Sequence, residues 1–238
     1  MKSVDELNVK IFADGADRAG MLEMCAKPYI KGFTTNPTLM HKAGLTDYKA
    51  FARTILDAIP DRPISFEVFS DEFTEMARQA HEIASWGRNV YVKVPVMNTR
   101  SEPSYALVKT LSHSGVKVNV TAVMTLEQVA QSVDCVVGGA PSCISVFAGR
   151  IADTGIDPVP HMAKAVALVG ETPGVELIWA SPREVLNIFQ ADVIGCHIIT
   201  ATHDILEKLP LVGKDLGDYS LETVRMFYED GRRAGFTL

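Results

Sequence analysis

Eight short, β-branched, apolar runs recur along the chain, and almost every interval between them carries helical periodicity. The runs are residues 8–14 (NVKIFAD), 31–36 (KGFTTN), 63–69 (PISFEVF), 90–96 (VYVKVPV), 117–123 (KVNVTAV), 143–150 (CISVFAGR), 175–181 (VELIWAS) and 193–200 (VIGCHIIT). Between them, sets such as Tyr48, Phe51, Ala52, Ile55, Leu56 and Ile59, or Phe73, Met76, Ala77, Ala80 and Ile83, fall on one face of a helix. Alternating β and α units require parallel strands, and strands that are apolar on both faces are buried on both faces. Eight such units in 238 residues match a (β/α)8 TIM barrel, whose usual size is about 250 residues. The main competitor is an open doubly wound sheet. It lacks support, because Asp14-Gly15-Ala16-Asp17 stands where a dinucleotide fingerprint would follow the first strand. No linker-like stretch interrupts the pattern, so residues 1–238 are expected to form a single domain, with an extra amphipathic C-terminal helix near residues 220–230 left to dock on the barrel or on a neighbour.

Charge and cysteine usage narrow the function classes. The chain carries 23 basic and 29 acidic residues, a net charge of −6, without runs of like charge. Nucleic acid and anionic membrane surfaces are therefore poor partners, since both need clustered Lys and Arg. The four cysteines, Cys25, Cys135, Cys143 and Cys196, form no CxxC pair and sit mostly in apolar runs, which points to free thiols in a reducing compartment. No window approaches the ~18 apolar residues of a membrane span, and Met1-Lys2-Ser3-Val4-Asp5-Glu6 is not the start of a signal peptide. The expectation is a cytoplasmic protein. Its six histidines, at 41, 81, 113, 161, 197 and 203, show no metal-ligand spacing, and His197 reads as a hydrogen-bonded core residue.

Several strand runs carry a polar residue where a barrel strand should be dry. Asp14 ends the first run, Thr34-Thr35-Asn36 the second, Glu67 lies in the third and Lys93 in the fourth. Asn119 and Thr121 lie in the fifth, Ser145 and Arg150 in the sixth, and Ser181 closes the seventh. Catalytic groups of a TIM barrel come from the C-terminal ends of several strands, so this distribution is the imprint of an active site. Lys93 has β-branched apolar neighbours on both sides, and period-two alternation sets it on the face opposite to them. Two readings stay open for it. It is a strand-end lysine that snorkels or pairs with an acid such as Glu67, or it is a desolvated amine able to form a Schiff base with a carbonyl. Asp14 and Glu67 would supply the carboxyl groups that Schiff-base chemistry needs for its proton transfers. Arg150 has two readings of equal weight, a phosphate ligand with Ser145 or an ion pair with Asp153.

In order along the chain, Asp14, Thr34-Thr35-Asn36-Pro37, Glu67, Lys93-Val94-Pro95, Asn119-Val120-Thr121-Ala122 and Ser145-Val146-Phe147-Ala148-Gly149-Arg150 resemble the transaldolase family, which includes the fructose-6-phosphate aldolases. The resemblance implies that Lys93 is the Schiff-base lysine, Asp14 the acid/base of carbon–carbon cleavage, and Glu67 with Thr121 the holder of a catalytic water. It implies further that Asn36 and Asn119 hold the dihydroxyacetone moiety and Ser145 and Arg150 the phosphate, with Thr35 also in the substrate-binding set. Ser181 and Arg183 complete the binding set in Trp179-Ala180-Ser181-Pro182-Arg183-Glu184, where the family usually reads Ala-Ser-Phe-Arg or Ala-Ser-Phe-Lys. The loop Met97–Ser104 lacks the family's usual small, Thr/Gly-rich opening. Glu67 and Phe147 match the transaldolase branch, since the aldolases carry Gln and Tyr there. The implied activity is transfer of a dihydroxyacetone unit between sugar phosphates by a homo-oligomer that needs neither a metal nor another cofactor. The alternatives are a fructose-6-phosphate aldolase or other sugar-phosphate aldolase, and a catalytically silent sugar-phosphate-binding barrel.

Overall fold

The computed structural model describes residues 2–236 and leaves Met1, Thr237 and Leu238 outside the described chain. Eight strands close in sequence order into a barrel in which every neighbouring pair is parallel. They are β1 (Lys10–Asp14), β2 (Ile30–Thr34), β3 (Ile64–Glu67), β4 (Val90–Pro95), β5 (Val118–Val123), β6 (Ser142–Val146), β7 (Val175–Trp179) and β8 (Ile198–Thr202). The helices in chain order are α1 (Arg18–Cys25), α2 (Pro37–Lys42), α3 (Tyr48–Ala58), α4 (Phe73–Ala84), α5 (Tyr105–His113), α6 (Leu126–Val136), α7 (Ala148–Ala152), α8 (Pro158–Val169), α9 (Leu186–Val193), α10 (His203–Leu206) and α11 (Leu216–Arg233). This is the (β/α)8 TIM barrel that the alternating periodicities predict.

Side chains sort by strand parity. Ile11, Ala13, Phe33, Ile64, Phe66, Val92, Val94, Val120, Ile144, Leu177, Trp179 and Ile199 face outward and merge with the inner faces of the helices into one continuous core. Residues of the other parity fill the barrel. Phe12, Cys143, Ile178 and Ile198 form a separate apolar plug toward its N-terminal end, and Gly32 lets the Phe12 ring lie flat, since a Cβ at position 32 would sit 2.5 Å from that ring. Above the plug the interior turns polar, with Thr34, Ser65, Lys93, Asn119, Ser145 and Thr200 all buried. The outer layer holds the fold together, and this inner layer is left for chemistry.

Two strands differ from the sequence expectation. The sixth run reads as a strand to Arg150, yet β6 ends at Val146, Phe147 leaves the extended conformation, and Ala148 to Ala152 coil into α7. Arg150 is therefore a helix residue. The eighth run is read too early: Val193 closes α9, Gly195 turns with φ +73°, and the strand runs to Thr202. Apolar residues at the end of α9 disguise the boundary, because a short apolar run has no period of its own.

α11 is longer than expected, spanning residues 216–233 behind an Asp215 cap that accepts from the Gly217 and Asp218 amides. None of its residues is buried, so it does not dock on the barrel by its apolar face; Leu216, Val224, Phe227 and Tyr228 are exposed. All four cysteines are free, three of them buried, and burial pushes the Cys196 thiol up to about 12. His197 is half-buried and accepts a hydrogen bond from the Leu177 amide at Nδ1 (3.1 Å), as its apolar setting suggests. Among the described residues, no helix is long and apolar enough to cross a membrane.

Candidate active site

A cavity of about 500 Å³ opens at the C-terminal ends of the strands. Ten of the twelve residues singled out from the sequence border it: Asp14, Asn36, Glu67, Lys93, Thr121, Ser145, Phe147, Arg150, Ser181 and Arg183. The other two, Thr35 and Asn119, lie beneath its floor at 0% exposure.

Lys93 is central. Strand parity turns it into the barrel, where it is only 7% exposed, and register sets it beside Glu67 on β3 and Asn119 on β5. Its amine donates to the Thr35 main-chain carbonyl at 2.7 Å. Glu67 Oε2 lies 3.2 Å from the amine, within ion-pair range but off hydrogen-bonding angle, so that this oxygen and Thr121 Oγ1 are both buried without a hydrogen-bond partner. The ion-pair reading and the catalytic reading of Lys93 thus share one arrangement.

Asp14 ends β1 at the cavity wall. Thr34 Oγ1 donates to its Oδ1 at 2.8 Å and Asn36 Nδ2 to its Oδ2 at 3.0 Å. Asn36 is held in turn because its Oδ1 caps α2 by accepting from the Leu39 amide at 2.8 Å. Burial raises the Asp14 pKa above the usual carboxylate range, against the opposing pull of the Lys93 charge and of these two hydrogen bonds. A carboxyl poised this way keeps its proton to higher pH than an exposed one.

The floor is a linked set of short polar side chains. Ser145 Oγ donates to Asn119 Oδ1 at 2.7 Å, Asn119 Nδ2 to Ser65 Oγ at 3.1 Å, and Thr35 Oγ1 to the Ser65 carbonyl at 2.9 Å. These bonds fix the layer under Lys93 and satisfy its buried polar atoms. Ser65 and Thr200, which bonds Thr34 across 2.6 Å, escape the sequence reading. Alternation around Glu67 points to Ser65, and a correctly placed eighth strand points to Thr200.

The far wall comes from the ends of β5, β6 and β7. Ala122 and Ser181 carry left-handed backbone, with φ of 60° and 57°, an uncommon conformation for residues other than glycine that concentrates at functional sites. Gly149 allows the Ser181 backbone to pack close against α7, because a Cβ there would fall 1.6 Å from the Ser181 carbonyl oxygen. Arg150 sits with its guanidinium carbon 5.7 Å from the centre of the Phe147 ring. Asp153 pairs with Arg183 instead of Arg150, with Arg183 Nε donating to Asp153 Oδ1 at 3.0 Å and Nη2 to Oδ2. Of the two readings of Arg150, the ion pair with Asp153 is therefore not formed; the loop after β7 brings Arg183 to Asp153 instead.

The likeness to known proteins is consistent with this geometry. The family model described as Transaldolase/Fructose-6-phosphate aldolase matches residues 11–237. A protein called "Probable transaldolase" from Thermoanaerobacter sp. (strain X514) is 32% identical over 97% of this chain and 100% of its own length. One of the same name from Streptococcus agalactiae serotype V (strain ATCC BAA-611 / 2603 V/R) is 34% identical over 87% of this chain and 94% of its own. Among solved structures, a putative lyase/mutase from Burkholderia cenocepacia J2315 superposes with a TM-score of 0.57 at 14% identity, covering 97% of this chain and 86% of that one. KGPDC from Streptococcus mutans also gives 0.57, at 11% identity over 85% and 91% of the two chains. These two likenesses speak for the barrel alone. The sequence relatives go further: the chain belongs to the transaldolase/fructose-6-phosphate aldolase family.

Proposed function

We propose that the protein is a transaldolase, moving a dihydroxyacetone unit from a ketose phosphate to an aldose acceptor through a Schiff base on Lys93. The observation that carries this reading is the buried Lys93 amine, held by a main-chain carbonyl and facing a 500 Å³ cavity that Asp14, Glu67 and Thr121 share. Lys93 Nζ attacks the ketose C2 carbonyl, and the carbinolamine hydroxyl leaves as water with a proton passed through Glu67 and Thr121. Their unpartnered oxygens favour a water or hydroxyl held between them. Asp14 takes the C4 hydroxyl proton as the C3–C4 bond breaks, and the bonding pair flows into the iminium to give an enamine. The released aldose phosphate departs, the enamine adds to a second aldehyde, and water hydrolyses the new iminium to free Lys93.

Placement of the phosphate falls to Arg150, Ser145, Ser181 and Arg183, with Asn36, Thr35 and Asn119 shaping the dihydroxyacetone end. Phe147 favours transfer over release of free dihydroxyacetone, because its ring presents no hydroxyl to protonate the enamine. The test is sodium borohydride with fructose 6-phosphate: a reduced adduct on Lys93 is expected in the peptide map, and an unmodified Lys93 would remove the proposal. Product analysis without an acceptor aldehyde then separates the readings, since rapid release of dihydroxyacetone would identify an aldolase.

A further inference from the structure

At the C-terminal ends of β2 and β3 the parallel ladder loses one rung, and two side chains take over its groups. The ladder is regular as far as the Thr35 amide, which donates to the Ser65 carbonyl at 3.2 Å. In a parallel pair the next rung would run from the Glu67 amide to the Thr35 carbonyl. That carbonyl instead accepts from the Lys93 amine. The Glu67 amide donates to the phenol oxygen of Tyr48 at 2.7 Å, and the same hydroxyl donates to the Glu67 carbonyl at 3.2 Å. Tyr48 is the first residue of α3, outside the barrel, and its ring is wedged edge-on against Phe66, Phe69 and Trp86, with centroids 4.7 to 6.1 Å apart.

We infer that Tyr48 is a positioning residue for the reaction: its hydroxyl replaces the missing rung, keeps the Glu67 backbone from claiming the Thr35 carbonyl, and so holds both Lys93 and Glu67 in working geometry. The inference rests on the Schiff-base reading given above. Without the hydroxyl, the Glu67 amide and the Lys93 amine compete for one acceptor, and closure of the rung draws the amine from its place while shifting the Glu67 side chain.

Tyr48→Phe removes the oxygen and keeps the ring in its aromatic cluster. We expect kcat to fall about tenfold to a hundredfold, as misplacement of a reacting group by about an ångström does, with KM within about twofold and the rate of borohydride trapping falling in step with kcat. Thermal unfolding of the same sample corrects for any loss of folded protein. Wild-type kcat and trapping rate in folded Tyr48→Phe would overturn the inference, as would a loss proportional to the unfolded fraction. Should Tyr48→Phe not fold, 3,5-difluorotyrosine at position 48 keeps the shape and weakens the phenol oxygen as an acceptor. An intermediate fall in kcat is then expected, and no change overturns the inference. If the wild-type enzyme itself is never trapped, the Schiff-base reading fails on its own. The positioning claim is then read from carbamylation of Lys93 by cyanate, mapped by mass spectrometry, where equal rates in the wild type and Tyr48→Phe overturn it and unequal rates support it.

Discussion

Lys93 Nζ and Glu67 Oε2 lie 3.2 Å apart inside the barrel without the alignment of a hydrogen bond. The carboxylate neutralises the ammonium while leaving its own oxygen available to a third group. Glu67→Gln keeps the shape and removes the charge, and it should slow formation and hydrolysis of the iminium by about 10²-fold, the usual worth of one positioned acid or base. Lys93→Met should eliminate both the borohydride adduct and turnover. Single-turnover kinetics with fructose 6-phosphate would resolve the two steps, and unchanged rates in Glu67→Gln would exclude Glu67 from proton transfer.

Asp14 has a stability consequence of definite sign. Its pKa is raised in the folded state by burial, so the native protein binds its proton more tightly than the unfolded chain does. The contribution is favourable below the ordinary carboxylate range and is lost as pH rises through the elevated native value. Asp14→Asn removes this loss. The amide can accept from Asn36 and donate to Thr34, which turns its own proton toward Thr200. The variant should unfold at a higher temperature than the wild type, by a margin that widens from pH 4 toward pH 8, while carbon–carbon cleavage collapses. Melting curves across that range check it, and a margin that narrows with pH would contradict the raised native pKa.

The two arginines at the cavity differ in what already holds them. Arg183 is engaged side-on by Asp153, whereas no carboxylate partner of Arg150 occurs among the described residues. An incoming phosphate must compete with Asp153 for Arg183 but not for Arg150. Arg150→Ala should therefore raise KM for a phosphorylated aldose by about tenfold or more, consistent with loss of a charge-assisted contact, and Arg183→Ala by less. Neither should matter for unphosphorylated glyceraldehyde. The KM ratio of the two acceptors decides it.

Gly149 tests how the far wall is built. A methyl group there would lie 1.6 Å from the Ser181 carbonyl oxygen, and neither α7 nor the loop after β7 can yield without moving Arg150, Ser181 or Arg183 at the cavity wall. Gly149→Ala should cost about 3 kcal/mol or more in urea unfolding, at the upper end of overpacking effects, and raise KM in the fraction that folds. Near-native stability would mean that the two segments separate freely.

The barrel was legible in the sequence because eight apolar runs alternate with helical periodicities, and Lys93 between Val92 and Val94 stood out as a polar residue on the face opposite to its apolar neighbours. What escaped was what a linear pattern does not encode. Tyr48 sits in a helical apolar stripe, which hides the fact that its hydroxyl ends at the Glu67 backbone. The pairing of Asp153 with Arg183 has no periodic signature, because the two lie 30 residues apart, and the sequence offers only Arg150 as one open choice of partner. Thr200 escapes because apolar residues at the end of α9 and the start of β8 merge into one run, which hides where the eighth strand lies.

The parity of the strands also limits how such a protein can change over time. Loss or gain of one residue within β4 would exchange Lys93 with a valine, sending the amine into oil and the valine into the reaction chamber. Substitution can retune the chemistry one inward position at a time and leave the scaffold untouched, but a frame slip inside any strand damages both at once. Length variation is therefore expected in the connections between strands and helices, while the strands themselves keep their count.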